Sequence, residues 1–256
     1  MSIGQDTSQN ASQTTSTDQA TYVETGSEFN RDMNYIPDRI VRDVAAGPVD
    51  NARDCPTEGQ LWPVEPGRYR LIVARACPWA NRAIIIRRLL GLEDAMSIGY
   101  CGPVHDVRSW TFDLDPGGVD PVLGYERLQE AYFARYPDYP RGITVPALVD
   151  VPTKAVVTND FPSITHDMSF EWRDHHRQGA PDLWPSDVRD EMEDVMHRVF
   201  TEVNNGVYRC GFAGSQQAYD EAFDRLWTAL DWLEERLTTR RYLMGASITE
   251  ADVRLF

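Results

Sequence analysis

Lysine is nearly missing from this 256-residue chain: Lys154 stands alone, and arginine supplies the rest of the 25 basic residues set against 40 acidic ones. The formal charge of −15 argues against nucleic acid and against an anionic membrane surface as partners. Long hydrophobic runs are missing too. Hydrophobic residues make up 42% of the chain, enough for a sizeable core. Yet no stretch approaches the roughly 20 apolar residues of a membrane span. The start of the chain lacks the basic residues and apolar centre of a secretory signal. Residues 1–27 hold mostly Ser, Thr, Gln, Asn and Asp, so they read as a disordered, solvated tail. Cysteine is scarce: Cys55, Cys77, Cys101 and Cys210 lie far apart, with no metal-type pair and no disulfide framework. A reducing cytoplasm is the expected setting, and no metal is expected.

The informative feature is Cys77-Pro78-Trp79-Ala80. Upstream, Arg68 to Ala74 reads as a buried strand introduced by Pro66-Gly67. Downstream, Asn81 to Leu90 carries Ala83, Ile84, Ile86, Leu89 and Leu90 at helical spacing, with Gly91 as the stop. Pro78 suits a first helical turn, where its missing N–H costs nothing. Cys77 therefore falls at the helix N-cap, where free N–H groups and the positive dipole end favour a thiolate. A lone cysteine is more often a small core hydrophobe, but this strand–Cys–Pro–helix context favours a reactive one. Thioredoxin-type motifs carry a second Cys three residues on; here that position is Ala80. A single sulfur needs an external thiol to resolve its mixed disulfide.

Residues 28–67 read as an irregular lead-in broken by prolines. A second strand is predicted from Met96 to Cys101, followed by a Gly/Pro-rich insertion over 102–142. In Ile143 to Asp150, Pro146 marks either an edge or bulge, or a cis-proline turn. Ala155 to Thr158 pairs as a hairpin with Leu148-Val149, and Asn159-Asp160 opens another helix. The rest is helical. Residues 187–203 line up Val188, Met192, Val195, Met196, Val199 and Phe200. Residues 216–237 line up Tyr219, Phe223, Leu226, Leu230, Leu233 and Leu237. Both stripes read as core. His175-His176 and the acidic run from Asp187 to Asp194 read as solvated surface. Thr249 and Asp252 spell a capping box, with Ile248 able to staple onto Val253. The chain stops at Phe256, about two turns into that helix. It is therefore expected to be a C-terminally truncated fragment of a larger helical domain, and poorly soluble.

The chain resembles the glutathionyl-hydroquinone reductases, the Xi-class or omega-like glutathione transferases. The matching residues are Gly67 to Leu71, Ala76 to Arg82, Ser109 to Phe112, Thr144 to Leu148, Asn204 to Phe212 and Leu243 to Phe256. The resemblance implies an α/β thioredoxin-like domain over 28–175 and an all-α domain over 184–256. It implies a thiol-dependent reductase that removes glutathione from quinol thioethers through a mixed disulfide. Cys77 would be the nucleophile, with Pro78 and Trp79 forming its helix-start context. Val145, before a cis Pro146, would bind the cysteinyl part of the thiol through its backbone. Trp110 matches a ligand-contacting tryptophan, the alternative being a core aromatic. Tyr208 matches a tyrosine of the quinol pocket, the alternative being a helix-end packing residue. The family's dimers leave a homodimer open for a full-length chain.

One departure matters. The family's adjacent Glu-Ser, which grips the γ-glutamyl group of glutathione, is replaced by Asp160-Phe161. Asp160 can supply a carboxylate with shorter reach; Phe161 cannot supply a hydroxyl. A lost hydrogen bond of this kind costs on the order of 1–3 kcal/mol. Asn81, where the family often has His, is a milder difference. The co-substrate is thus glutathione or another small thiol, such as mycothiol or γ-glutamylcysteine. Two other readings stand: a general thiol transferase or dehydroascorbate-type reductase, and a non-catalytic transferase-like binding module.

Overall fold

The computed structural model describes residues 29–48, 59–103 and 105–256. The tail read over 1–27, and Cys55, lie outside them. Two layers organise the first half. A four-stranded sheet runs in the order β4-β3-β5-β6, built from β3 (Tyr69–Ala74), β4 (Ser97–Cys101), β5 (Ala147–Asp150) and β6 (Ala155–Thr158). β3 pairs parallel with β4 and antiparallel with β5, and β5 and β6 form the expected hairpin. Every residue of β3 is buried: Leu71 to Ala74 as the apolar run of a covered strand, and Arg70 in an ion pair with Asp120 at 2.8 Å. Helix α1 (Pro78–Leu90) packs on β3, and α3 (Phe161–Phe170) packs against α1. This is the thioredoxin-like arrangement. Gly91 ends α1 with φ of 73°, and a Cβ there would lie 2.5 Å from Arg177 Cβ, so the stop requires glycine on both counts.

The structure adds three things to the pattern read from the sequence. The lead-in contains a two-stranded parallel pair, β1 (Arg39–Val41) with β2 (Leu61–Pro63). Three-residue strands whose partners lie some twenty residues away leave no local signature. Arg39 of β1 is buried in an ion pair with Asp167 of α3, whose other oxygen accepts Ile40 N–H at 3.1 Å. The stretch read as an insertion over 102–142 contains helix α2 (Gln129–Arg135), which packs on β6 through buried Ala131 and Tyr132. Seven residues are too few for helical periodicity to stand out.

The second half is helical: α4 (Arg189–Arg198), a π-helical turn over Val199–Asn204, α5 (Asn205–Gly211), α6 (Gln216–Leu237) and α7 (Glu250–Leu255). Met192, Val195, Met196 and Val199 are buried as their stripe predicts, whereas Phe200 is half-buried and turns toward Trp79. The stripe on α6 departs further. Leu233 is buried and Leu226 and Leu230 pack against the core, but Tyr219, Phe223 and Leu237 are exposed, and Ala222 and Ala229 join the buried face. α6 packs closely on α5, where a Cβ on Gly206 would lie 3.3 Å from Leu226 Cδ1; the larger rings stack on one another outside, Tyr219 on Phe223 at 5.8 Å. His176 is half-buried, its Nε2 within 2.8 Å of Met168 O, so it is not the solvated surface residue expected. No group of His, Cys, Asp and Glu fit to hold a metal occurs among the described residues. No helix among them is long and apolar enough to cross a membrane.

Candidate active site

Cys77 is the N-cap of α1, in extended backbone geometry, with Pro78 at the first helical position. Across from it, the Val145–Pro146 peptide bond is cis, and Cys77 Sγ donates to Val145 O at 3.3 Å. The two loops therefore meet at the sulfur. The thiol is not shifted toward the thiolate as the helix-start argument expects. Burial pushes it up, and the N–H groups of Ala80 and Trp79, with the charges of Arg31 and Arg82, oppose that only in part.

A cleft of about 240 Å³ opens beside the sulfur. Cys77, Trp79, Trp110, Val145 and Tyr208 all line it, so residues up to 131 positions apart (Cys77 to Tyr208) converge on one space. Trp79 is 6% exposed and donates its Nε1–H to Tyr208 OH at 2.9 Å, a direct tie between the α1 N-terminus and α5. Trp110 is half-buried, its ring 4.8 Å from that of His105 across an isolated antiparallel bridge. Pro78 is exposed at the helix start and takes no part in the lining.

Asp160 does not line the cleft. It is 4% exposed at the start of α3, accepts a hydrogen bond from Ser163 Oγ at 3.1 Å, and burial raises its carboxyl to about 7. Its neighbours take the lining positions instead. Asn159 bonds Thr144 Oγ1 at 2.7 Å and accepts Ile36 N–H at 2.8 Å, and so fixes the lead-in against the cis-proline loop. Phe161 packs its ring 4.4 Å from Trp79, over the space beside the sulfur.

Sequence reasoning passed over several lining residues. Phe29, Arg31 and Tyr35 come from the lead-in, and His105 and Phe212 from loop and helix-end positions. Phe29 stacks on Tyr208 at 5.5 Å, and Arg31 Nε donates to Asn205 Oδ1 at 2.7 Å. No local pattern marks them. The one usable signal was the Phe29-Asn30-Arg31 cluster of ring and cation just after a polar tail. Cys101 is buried in the core, where burial and nearby acids raise its thiol strongly; Cys210 lies outside the cleft lining.

The arrangement can do sulfur chemistry on a ring-bearing molecule. It offers one thiol bonded to the Val145 carbonyl, an aromatic wall opposite, and a phenol and a guanidinium at that wall.

Comparison with known proteins agrees with this geometry. Residues 216–256 match the glutathione S-transferase C-terminal domain. The glutathionyl-hydroquinone reductase of Sphingobium chlorophenolicum is 41% identical over 198 residues, covering 75% of this chain and 61% of the relative. That of Escherichia coli is 36% identical over 234 residues, covering 91% of this chain and 69% of the relative. Among solved structures, a glutathione transferase from Gordonia bronchialis is 62% identical with a TM-score of 0.80, covering 87% of this chain and 65% of that one. The chain thus spans roughly two thirds of the length of the proteins it matches.

Proposed function

The chain belongs to the glutathionyl-hydroquinone reductase family, and from that premise we propose that it removes a small thiol from quinol thioethers through Cys77. The ionised Cys77 sulfur attacks the thioether sulfur and forms a disulfide with it. The carbon–sulfur bond breaks, and its electron pair takes up a proton at the ring carbon to release the quinol. A second thiol attacks the mixed disulfide, returns Cys77 and leaves as a disulfide. One thioether and one thiol give one disulfide and one quinol, so the thiol is the reductant. The setting proposed for this chemistry is the cytoplasm.

The observation that carries this reading is the 3.3 Å approach of Cys77 Sγ to Val145 O at the mouth of an aromatic cleft. Val145 then holds the thiol's backbone-like part, Trp110 closes that side, and Tyr208 meets the quinol with its remaining hydroxyl proton. The rings of Trp79, Phe161, Tyr208 and Phe212 favour an aryl thioether over a simple mixed disulfide as substrate. With Asp160 enclosed and bonded to Ser163, and Phe161 in the lining, the cleft offers little to a γ-glutamyl group. Glutathione, which solved relatives bind, is therefore tested beside mycothiol and γ-glutamylcysteine as the thiol.

Intact mass spectrometry after separate incubation with the disulfides of these three thiols tests the reading. One adduct on Cys77, absent in Cys77→Ser, together with thiol-dependent release of quinol from the matching thioether, is the expected outcome. No adduct with any of the three would sink the enzyme reading and favour a binding module.

A further inference from the structure

A guanidinium with unused donors stands in the aromatic wall. Arg31 spends Nε on Asn205, while its Nη2 is buried without an acceptor among the described residues. Its Cζ lies 4.4 Å from the ring centre of Tyr208, 4.5 Å from that of Trp79 and 5.3 Å from that of Phe29. An unmet donor of this kind is costly, the more so on a charged group. Arg31 also lines the cleft, so a bound molecule that brings an oxygen there meets this guanidinium. The charge balance points the same way. Acidic residues outnumber basic ones 40 to 25 along the chain, yet none of the cleft-lining side chains is a carboxylate, and Arg31 is the arginine among them.

The surroundings select the kind of oxygen. Flat apolar faces flank the guanidinium on several sides, which suits an oxygen carried by an aromatic ring. An aliphatic carboxylate would surrender its hydration to those rings for a single ion pair. The rings also hold Arg31 in place through cation–π contact, so little ordering is left for binding to supply.

We propose that Arg31 is the oxyanion-recognising residue of this cleft, pairing with the ionised oxygen of a phenolic ring laid against Trp79 and Tyr208. The assignment rests on the quinol reading above and deepens it: the preferred ligands are phenols in their phenolate form. Arg31 binds and selects; no bond is made or broken at it.

4-Nitrophenol tests this directly, because its phenol and phenolate absorb at different wavelengths. Bound to a Cys77→Ser protein, it is expected to ionise about one pH unit below its free value, a tenfold preference for the phenolate. Adding Arg31→Gln is expected to abolish that shift and weaken phenolate binding about tenfold, and Arg31→Lys to restore part of both. Neutral 4-nitroanisole, of nearly the same shape, is expected to bind the parent and Arg31→Gln proteins equally. Equal losses for the two ligands would overturn the proposal by showing that Arg31 only maintains the cleft. An unchanged titration in Arg31→Gln would overturn it outright, and tighter binding of 4-nitrobenzoate than of 4-nitrophenolate would replace the phenolate with a carboxylate. Failure of the enzyme reading is separate: wild-type Cys77 would then form no thiol adduct while the phenolate still bound.

Discussion

Cys77 reacts only as a thiolate, and two opposing effects set how much of it is present. The start of α1 and the charges of Arg31 and Arg82 favour the ionised sulfur; the enclosing walls disfavour it, and they prevail. The rate of adduct formation on Cys77 is therefore expected to climb with pH up to and beyond roughly 8.5, the value of an ordinary thiol. Stopped-flow reaction with a chromogenic disulfide across pH 5–10 checks this, and a plateau reached below pH 7 would contradict it. Arg82 is almost fully buried, its guanidinium 4.4 Å from the Trp79 ring centre, so burial lowers its own pKa to about 9. The help is mutual, since the ionised sulfur in turn favours the charged guanidinium.

Among the elements, the short α7 depends most on its first residues. Asp252 accepts from Thr249 N–H at 2.8 Å and from Thr249 Oγ1 at 3.0 Å, and its other oxygen accepts Leu243 N–H at 2.7 Å. Glu250, the residue after Thr249, is fully buried, accepts from Trp184 Nε1–H, and accepts from Ser169 Oγ at 3.0 Å and Arg254 Nε at 2.9 Å. One turn thus fastens α7 to α3 and to the loop before α4. Thr249→Ala removes a cap and is expected to cost about 1 kcal/mol in urea unfolding. Asp252→Ala removes three acceptor contacts and should cost more. Equal, negligible effects would mean that apolar packing alone seats this helix.

For the molecule as a whole, stability carries the mark of Asp160. Its carboxyl holds a proton up to about pH 7 when folded, against about 4 in an unfolded chain. The folded state therefore binds the extra proton between those values, and stability falls as pH rises through that window. Asp160→Asn stays neutral throughout. Its Tm is expected to exceed that of the wild type at pH 8 by several degrees and to converge with it near pH 4. A difference that does not vary with pH would place the effect in packing. The cleft itself is a whole-molecule product: Trp79 Nε1 on Tyr208 OH and Arg31 Nε on Asn205 Oδ1 join the sheet-bearing and helical halves around it.

How much of this was legible depended on distance along the chain. Strand β3, helix α1, its glycine stop and the cysteine between them follow from contiguous residues, because burial period, proline at the first turn and left-handed glycine are local physics. The capping box of α7 was legible for the same reason. The family motifs placed Trp110, Val145 and Tyr208 near one another, though nothing local told which way each side chain faces. Tertiary structure decided the rest. It turned Asp160 inward onto Ser163 and brought Phe161 to the cleft, since one step around a helix start exchanges core for opening. It left Tyr219 and Phe223 outside, because the face of α6 that meets the core runs through Ala222, Leu226, Ala229 and Leu233. It also carried Arg31 from an unpatterned lead-in onto the rings of Trp79 and Tyr208. Burial, which raises the Cys77 thiol against its helix, is a sum over surrounding atoms from every part of the chain, and no stretch of sequence contains it.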